Sequence, residues 1–341
     1  MSGTNRQITL AARPVGEPKE SDFALVEAPI PAPGPGQALL RTLWLSLDPY
    51  MRGRMSDAKS YAKPVQIGEV MTGGTVSEVV SSNVEGFKPG DIVEGRTGWQ
   101  EYALSNGSDL RPVDRSLAPI STALGVLGMP GMTAYVGLRN IGQPKEGETV
   151  VVAAASGAVG SLVGQIAKLK GARAVGIAGG KEKCDYVVRE LGFDACLDHR
   201  SPTLADDLKA ACPKGIDVYF ENVGGAVWQA VFPLLNTFAR VPLCGLIAQY
   251  NATSLPPGPN MVPALMRSIL SNRLTMKGFI VFDYADQQGD FLREAGAWLK
   301  EGKIKHREDI VDGIEKAPAA FMGMLQGRNF GKMLVRIHPE S

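Results

Sequence analysis

The chain has 341 residues, 44% hydrophobic and 21% charged, with 36 lysines and arginines against 35 acids. That length suits one large or two medium domains, and a near-neutral balance without a basic stripe excludes a nucleic-acid footprint. No apolar run reaches the length of a membrane span, and the polar start "MSGTNRQITLAARP" has no signal-peptide core, so a cytoplasmic protein with no membrane partner is expected.

The first 120 or so residues read as mostly β. Short apolar runs recur in "QALLRTLWLSL", "GGTVSEVV", "DIVEG" and "WQEYALS", and Gly, Pro and Asn punctuate them. From about residue 122 the pattern changes. "TALGVLGMPGMTAYVGLRNIG" has helical content with a small turn, "MPGMT", inside it. Strands and helices then alternate. "ETVVVAAA" is a strand and "AVGSLVGQIAKLKG" a helix; "ARAVGIAG" is a strand and "KEKCDYVVRELG" a helix. "DACLD", "GIDVYFENVGG", "ARVPLCGLI" and "LTMKGFIVF" are further strands, with helical segments between them. Alternation of continuously apolar strands with helices predicts an α/β fold with a doubly wound parallel sheet. The tail "APAAFMGMLQGRNFGKMLVRIHP" reads as helix, turn and final strand.

Four cysteines, Cys184, Cys196, Cys212 and Cys244, are widely spaced, and three histidines, His199, His306 and His338, are scattered. Neither a disulfide framework nor a zinc site has this spacing, so no metal is expected. The cysteines read as small buried apolar residues.

"AAASGAVGSLVGQIAKLKG", residues 153–171, carries the chemistry. Its strand, tight turn and helix follow the rhythm of a dinucleotide-binding G-x-G-x-x-G, with Ala155 in place of the first glycine and Gly157 and Gly160 in register. A helix beginning near Val159 would turn the amides of Gly157, Ala158, Val159 and Gly160 towards a pyrophosphate. Gly164 keeps the same helix face slim. Roughly 20 residues on, an NAD site places an acid for the ribose hydroxyls. Here "GIAGGKEK" puts Gly179 and Gly180 there, followed by Lys181 and Lys183. A carboxylate would repel a 2′-phosphate and an ammonium attracts it, so NADP(H) is expected over NAD(H). Two later glycine turns, "ENVGG" and "CGLIAQYN", fall at the carboxyl ends of strands, where open parallel sheets bind ligands. Asn222, Gly224, Cys244 and Gly245 are therefore candidates for lining the cofactor.

With these motifs stand "LDPYMRGRM", "GMPGMTAY", "ELGFD", "PPGP" and "PAAFMGML" with "GRNFGK". Their order across nearly the whole chain resembles the zinc-independent branch of the medium-chain dehydrogenase/reductase superfamily. Within it, the resemblance is to the leukotriene B4 12-hydroxydehydrogenase, prostaglandin reductase, 2-alkenal and curcumin reductase group. The resemblance implies a GroES-like β domain over 1–125, completed by 308–341, and a Rossmann NADP(H)-binding domain over 126–307. It places the active site between them and implies a homodimer. It also implies a reaction on a small-molecule enone or enal: hydride from NADPH goes to the β-carbon, and the resulting enolate is protonated at the α-carbon.

The first 125 residues hold no cysteine or histidine, so the enolate needs hydroxyl donors. The resemblance assigns Tyr250 and Tyr50 to that work, with Arg52 and Met129 on the substrate side. It sets Thr133 against the nicotinamide, Phe279 and Val281 near its amide, and Asn329 near the phosphates. Where relatives often carry a tyrosine beside the 2′-phosphate, "LDHR" puts His199, followed by Arg200. A quinone reductase of the same superfamily and a non-catalytic NADPH-binding protein are the alternative readings.

Overall fold

A computed structural model describes residues 3–256 and 258–340. Pro257, within "PPGP", lies outside them. The chain begins with β1 (Thr4–Leu10), β2 (Phe23–Pro29), β3 (Ala38–Ser46), α1 (Tyr50–Arg54), β4 (Thr75–Ser82), β5 (Ile92–Gly95), β6 (Tyr102–Ser105) and β7 (Arg111–Pro112). Then follow α2 (Met129–Gly137), β8 (Thr149–Ala153), α3 (Gly160–Leu169), β9 (Arg173–Ala178), α4 (Lys181–Arg189), β10 (Ala195–Asp198), α5 (Leu204–Ala211) and β11 (Ile216–Phe220). The remaining elements are α6 (Gly225–Val231), β12 (Leu235–Leu243), α7 (Val262–Asn272), β13 (Thr275–Gly278), α8 (Gln288–Lys300), β14 (Glu308–Asp312), α9 (Ala317–Leu325) and β15 (Lys332–Arg336).

The contacts divide the chain into two compact units, 1–125 with 308–341, and 126–307. In the first unit β15 pairs with β3 antiparallel and with β14 in parallel. The strand order is β14-β15-β3-β4-β5-β7, with β6 also on β3. An aromatic cluster fixes the returning tail. Trp99 stacks on Phe23 at 5.8 Å and meets Phe321 of α9 edge-on at 5.6 Å. Apolar area of this size removed from water dominates packing.

The second unit holds one parallel sheet in the order β10-β9-β8-β11-β12-β13. The order reverses between β8 and β11, and the carboxyl ends of those strands mark the switch point where such sheets bind ligands. Every residue of β8 is buried, which is why its sequence lacks the alternation of a one-faced strand.

Several elements depart from the expectations above. "MPGMT" opens α2: Gly128 caps it, Pro130 lies in its first turn, and Gly131 leaves out a Cβ that would stand 2.1 Å from the Val126 carbonyl. Strand β12 stops at Leu243 and β13 at Gly278, so "CGLI" and "FIVF" run through irregular backbone into 3₁₀ turns that start at Ile247 and Val281. β1 and β2, an antiparallel pair, were not among the apolar runs. Of the cysteines, Cys184 and Cys212 are buried while Cys196 and Cys244 are half-exposed.

Candidate active site

The β8–α3 turn is built around two close approaches. Gly160 lacks a Cβ that would sit 2.3 Å from the Ala154 carbonyl oxygen, so α3 begins directly on the turn. Gly164 lacks one that would enter the Phe193 ring at 1.9 Å, so α3 lies flat against that ring. The turn's left-handed residue is Ala154 (φ 53°), one position before the missing glycine. Ala155 is fully buried and donates its amide to the Ile177 carbonyl at 3.0 Å. Gly157 closes the turn by donating to Ala154 at 2.9 Å. Among the described residues, the amides of Ala158, Val159 and Gly160 have no protein acceptor. Three open amides at a helix start form an anion cradle, and these residues fit a pyrophosphate.

A cationic corner stands at the end of β9. Gly180 (φ 94°) caps α4, a backbone conformation that suits glycine. Asp198 Oδ1 accepts from the amides of Gly180 and Arg200, each at 3.0 Å, and so ties the ends of β9 and β10 together. A Cβ on Gly179 would lie 2.9 Å from His199 Nε2 and 3.3 Å from Arg200 Nη2. Partial desolvation, with the Arg200 and Lys183 cations, holds the His199 imidazole below its ordinary pKa. Lys183, His199 and Arg200 thus converge where an NAD site would carry an acid. Lys181 points elsewhere: it pairs with Asp185 at 2.5 Å on the solvent face of α4.

The β11 and β12 ends meet beside the first turn. Asn222 Nδ2 donates to the Ala153 carbonyl at 2.9 Å. Glu221, which sequence reasoning missed, organises this region. Its buried Oε1 accepts from Tyr219 Oη at 2.9 Å, the Val223 amide at 2.7 Å and the Gly224 amide at 2.9 Å. Its carbonyl takes the amides of Cys244 at 3.0 Å and Gly245 at 3.2 Å. Burial pushes its carboxyl above the usual range. The acid directly before "NVGG" was its available signal. Tyr250 ends this segment half-buried. Its hydroxyl accepts from the Leu246 amide at 3.4 Å and stands 3.0 Å from where a Gly245 Cβ would sit.

Thr133 is buried on α2 and donates its hydroxyl to the Met129 carbonyl at 2.8 Å, which leaves its lone pairs to accept. Phe279 packs edge-on against Phe220 at 6.1 Å, so its ring belongs to the core, and half-buried Val281 opens the following 3₁₀ turn.

In the first unit, Tyr50 starts α1. Burial, then the Asp48 carboxylate, pushes its phenol above the ordinary value, so it stays protonated. Arg52 is buried and donates to the carbonyls of Gly16 at 2.9 Å and Pro14 at 3.3 Å, which ties α1 to the 14–16 segment. Asn329 donates to the Gly331 carbonyl at 2.8 Å in the turn before β15. A buried pair of Lys332 and Asp48, also missed, lies two residues from Tyr50. Among the described residues no three or more His, Cys, Asp or Glu side chains gather as metal ligands would.

A mixed β unit joined to a doubly wound parallel sheet with an anion cradle at its switch point defines a dehydrogenase/reductase of the medium-chain type. The match to known proteins narrows that class. Residues 6–113 match the N-terminal domain of oxidoreductase, and residues 158–298 match the zinc-binding dehydrogenase model. The chain is 57% identical over 334 residues to the NADPH-dependent curcumin reductase of Escherichia coli (strain K12), covering 98% of this chain and 97% of that one. It is 40% identical to the NADP(+)-dependent 2-alkenal reductase of Nicotiana tabacum, covering 99% and 98%. The crystal structure of CurA from Vibrio vulnificus in complex with NADPH superposes with a TM-score of 0.95 at 57% identity, covering 98% of this chain and all of that one. The chain belongs to the zinc-independent medium-chain dehydrogenase/reductase family, in the group of the curcumin, 2-alkenal and prostaglandin reductases.

Proposed function

We propose that this protein is an NADPH-dependent reductase of the carbon–carbon double bond of α,β-unsaturated ketones and aldehydes. The observation that carries it is one sheet end holding three things: an open amide cradle, a cationic corner lacking the NAD-type acid, and the Tyr250 hydroxyl beside Gly245. The likeness to NADPH-dependent curcumin reductase supports the same reading.

The amides of Ala158, Val159 and Gly160 hold the pyrophosphate, and Lys183, His199 and Arg200 hold the 2′-phosphate. Thr133 accepts from the nicotinamide amide. Bound NADPH supplies hydride to the substrate β-carbon. Tyr250 donates its hydroxyl to the substrate oxygen, where enolate charge develops, and such a donor aimed at developing charge lowers the barrier. Tyr50, kept protonated, is a second phenolic donor on the substrate side. The α-carbon then takes a proton. We place the protein in the cytoplasm as a homodimer, with β13, at one edge of the sheet, available for pairing.

NADPH absorbance followed with 3-nonen-2-one, and then with a quinone, tests the reading. Rapid oxidation with the enone and slow oxidation with the quinone is expected. Turnover with the quinone alone would assign quinone reduction, and turnover with neither would leave only cofactor binding.

A further inference from the structure

Cys184 and Cys196 meet behind the cationic corner. Cys196 on β10 lies in register with Gly176 on β9. A Cβ on Gly176 would stand 3.1 Å from Cys196 Sγ and 3.1 Å from Val187 Cγ1. Gly176 therefore leaves open the space in which the Cys196 sulfur reaches α4. Cys184 lies three residues before Val187, on the same buried face of that helix. The two thiols interact, and this lowers the Cys184 pKa and raises that of Cys196. Both positions adjoin the corner along the chain: Cys184 follows Lys183, and Cys196 lies two residues before Asp198, which holds the Gly180 and Arg200 amides.

We propose that Cys184 and Cys196 are an oxidant-sensitive thiol pair, which a hydroperoxide joins as a disulfide that weakens binding of the NADPH 2′-phosphate. The inference rests on the NADP(H) reading above for its effect. The Cys184 thiol gives up its proton and its sulfur attacks one peroxide oxygen, the O–O bond breaks, and the departing oxygen takes that proton and leaves as water or alcohol. Cys184 is then a sulfenic acid. The Cys196 sulfur attacks the Cys184 sulfur, the S–O bond breaks, and water leaves with the Cys196 proton. For hydrogen peroxide the sum is two thiols oxidised to one disulfide and the peroxide reduced to two waters. An S–S bond of about 2.05 Å is far shorter than any non-bonded approach of two sulfurs. Helix α4 and strand β10 must draw together, shifting Lys183 on one and Asp198 on the other. The remaining thiols are poorer nucleophiles: burial pushes Cys212 up to about 11, and desolvation of the sulfur beside Glu221 pushes the Cys244 thiol up to about 12.

The full-length protein is treated with hydrogen peroxide, alkylated, and digested with trypsin without reductant. Cleavage after Lys183, Arg189 and Arg200 puts the two cysteines on separate peptides, 184–189 and 190–200. These are expected as one linked species, lighter than their sum by two hydrogen atoms. The NADPH dissociation constant, read by tryptophan fluorescence quenching, is expected to rise at least about fivefold on loss of a charge-assisted contact. NADH affinity should not change, and dithiothreitol should restore NADPH affinity. Cys196→Ser should bind NADPH normally with or without peroxide. Oxidation of other thiols with no linked peptide would overturn the proposal, and so would a linked peptide with unchanged NADPH affinity. If the reduced protein binds NADPH and NADH equally, the cofactor reading fails, while the linked peptide still decides whether the pair forms.

Discussion

Lys332 Nζ lies 3.0 Å from Asp48 Oδ1, with the two side chains only 4% and 8% exposed. The ammonium also donates to the carbonyls of Leu47 at 2.7 Å and Met333 at 3.2 Å, and Asp48 Oδ2 accepts from the Ser46 hydroxyl. All three ammonium protons thus have acceptors. Removing one partner of such a pair strands the other charge in a low-dielectric site and costs about 3–5 kcal/mol. Asp48→Ala should therefore lower the unfolding midpoint of the first unit in calorimetry by the equivalent of that amount. The double variant Asp48→Ala/Lys332→Met should recover most of it. A single variant that unfolds like the parent would show the pair to be energetically neutral.

Gly160 gives a second prediction, in which stability and cofactor binding move together. An alanine there would drive its methyl to 2.3 Å from the Ala154 carbonyl oxygen, a backbone atom that cannot swing aside. Overpacking of this kind costs about 1–3 kcal/mol. Relief requires α3 to lift from the turn, and the open amides of Ala158 and Val159 move with it. Gly160→Ala should lose both thermal stability and NADPH affinity. Gly157→Ala, whose methyl would meet the same oxygen at 3.1 Å, should lose less of each.

How far the sequence announced these features follows from how local each one is. Gly157, Gly160 and Gly164 were legible because a close approach demands glycine there, of the Ala154 carbonyl at the first two and of the Phe193 ring at the third. The cationic corner was legible because an acid is absent where one would stand and lysines follow. The strained turn residue was not: Ala154 takes φ 53° with nothing in its side chain to mark it. The helix start at "MPGMT" reads as a turn because Pro and Gly serve turns and first helical turns alike. The Lys332–Asp48 contact joins residues 284 positions apart, and no window along the chain holds both. Likewise the carbonyls of Pro14 and Gly16 that take the Arg52 guanidinium are brought near it only in the folded chain.

Tyr250→Phe removes one hydroxyl and leaves the ring that packs beside Gly245. If that hydroxyl donates to the developing enolate oxygen, the variant should lose more than about tenfold in kcat, as loss of a charge-stabilising donor does. KM for NADPH should change little, because the proposed cofactor contacts are the amide cradle and the cationic corner. Tyr50→Phe should act more weakly on kcat. Equal turnover in wild type and Tyr250→Phe would move the donor role to another group.

The cationic corner makes a pH-dependent prediction whose sign can be worked out. His199 titrates below its ordinary 6.5 in the free protein because of partial desolvation and the neighbouring Arg200 and Lys183 cations. A bound 2′-phosphate stabilises the imidazolium and raises that pKa, so binding takes up a proton between the free and bound values. NADPH affinity should then be highest at low pH and fall as pH rises through that window. The phosphate itself loses a proton near pH 6, which strengthens its attraction to Lys183 and Arg200 as pH rises and opposes the histidine's trend. Comparison with His199→Gln, which keeps a hydrogen-bond donor without the titration, isolates the histidine's part. Between pH 5.5 and 7.5 the ratio of wild-type to variant affinity should decline steadily, while Lys183→Ala should weaken NADPH throughout and leave NADH unaffected. A ratio that stays constant across that range would place the imidazole outside the 2′-phosphate contact, with Lys183 and Arg200 alone making it.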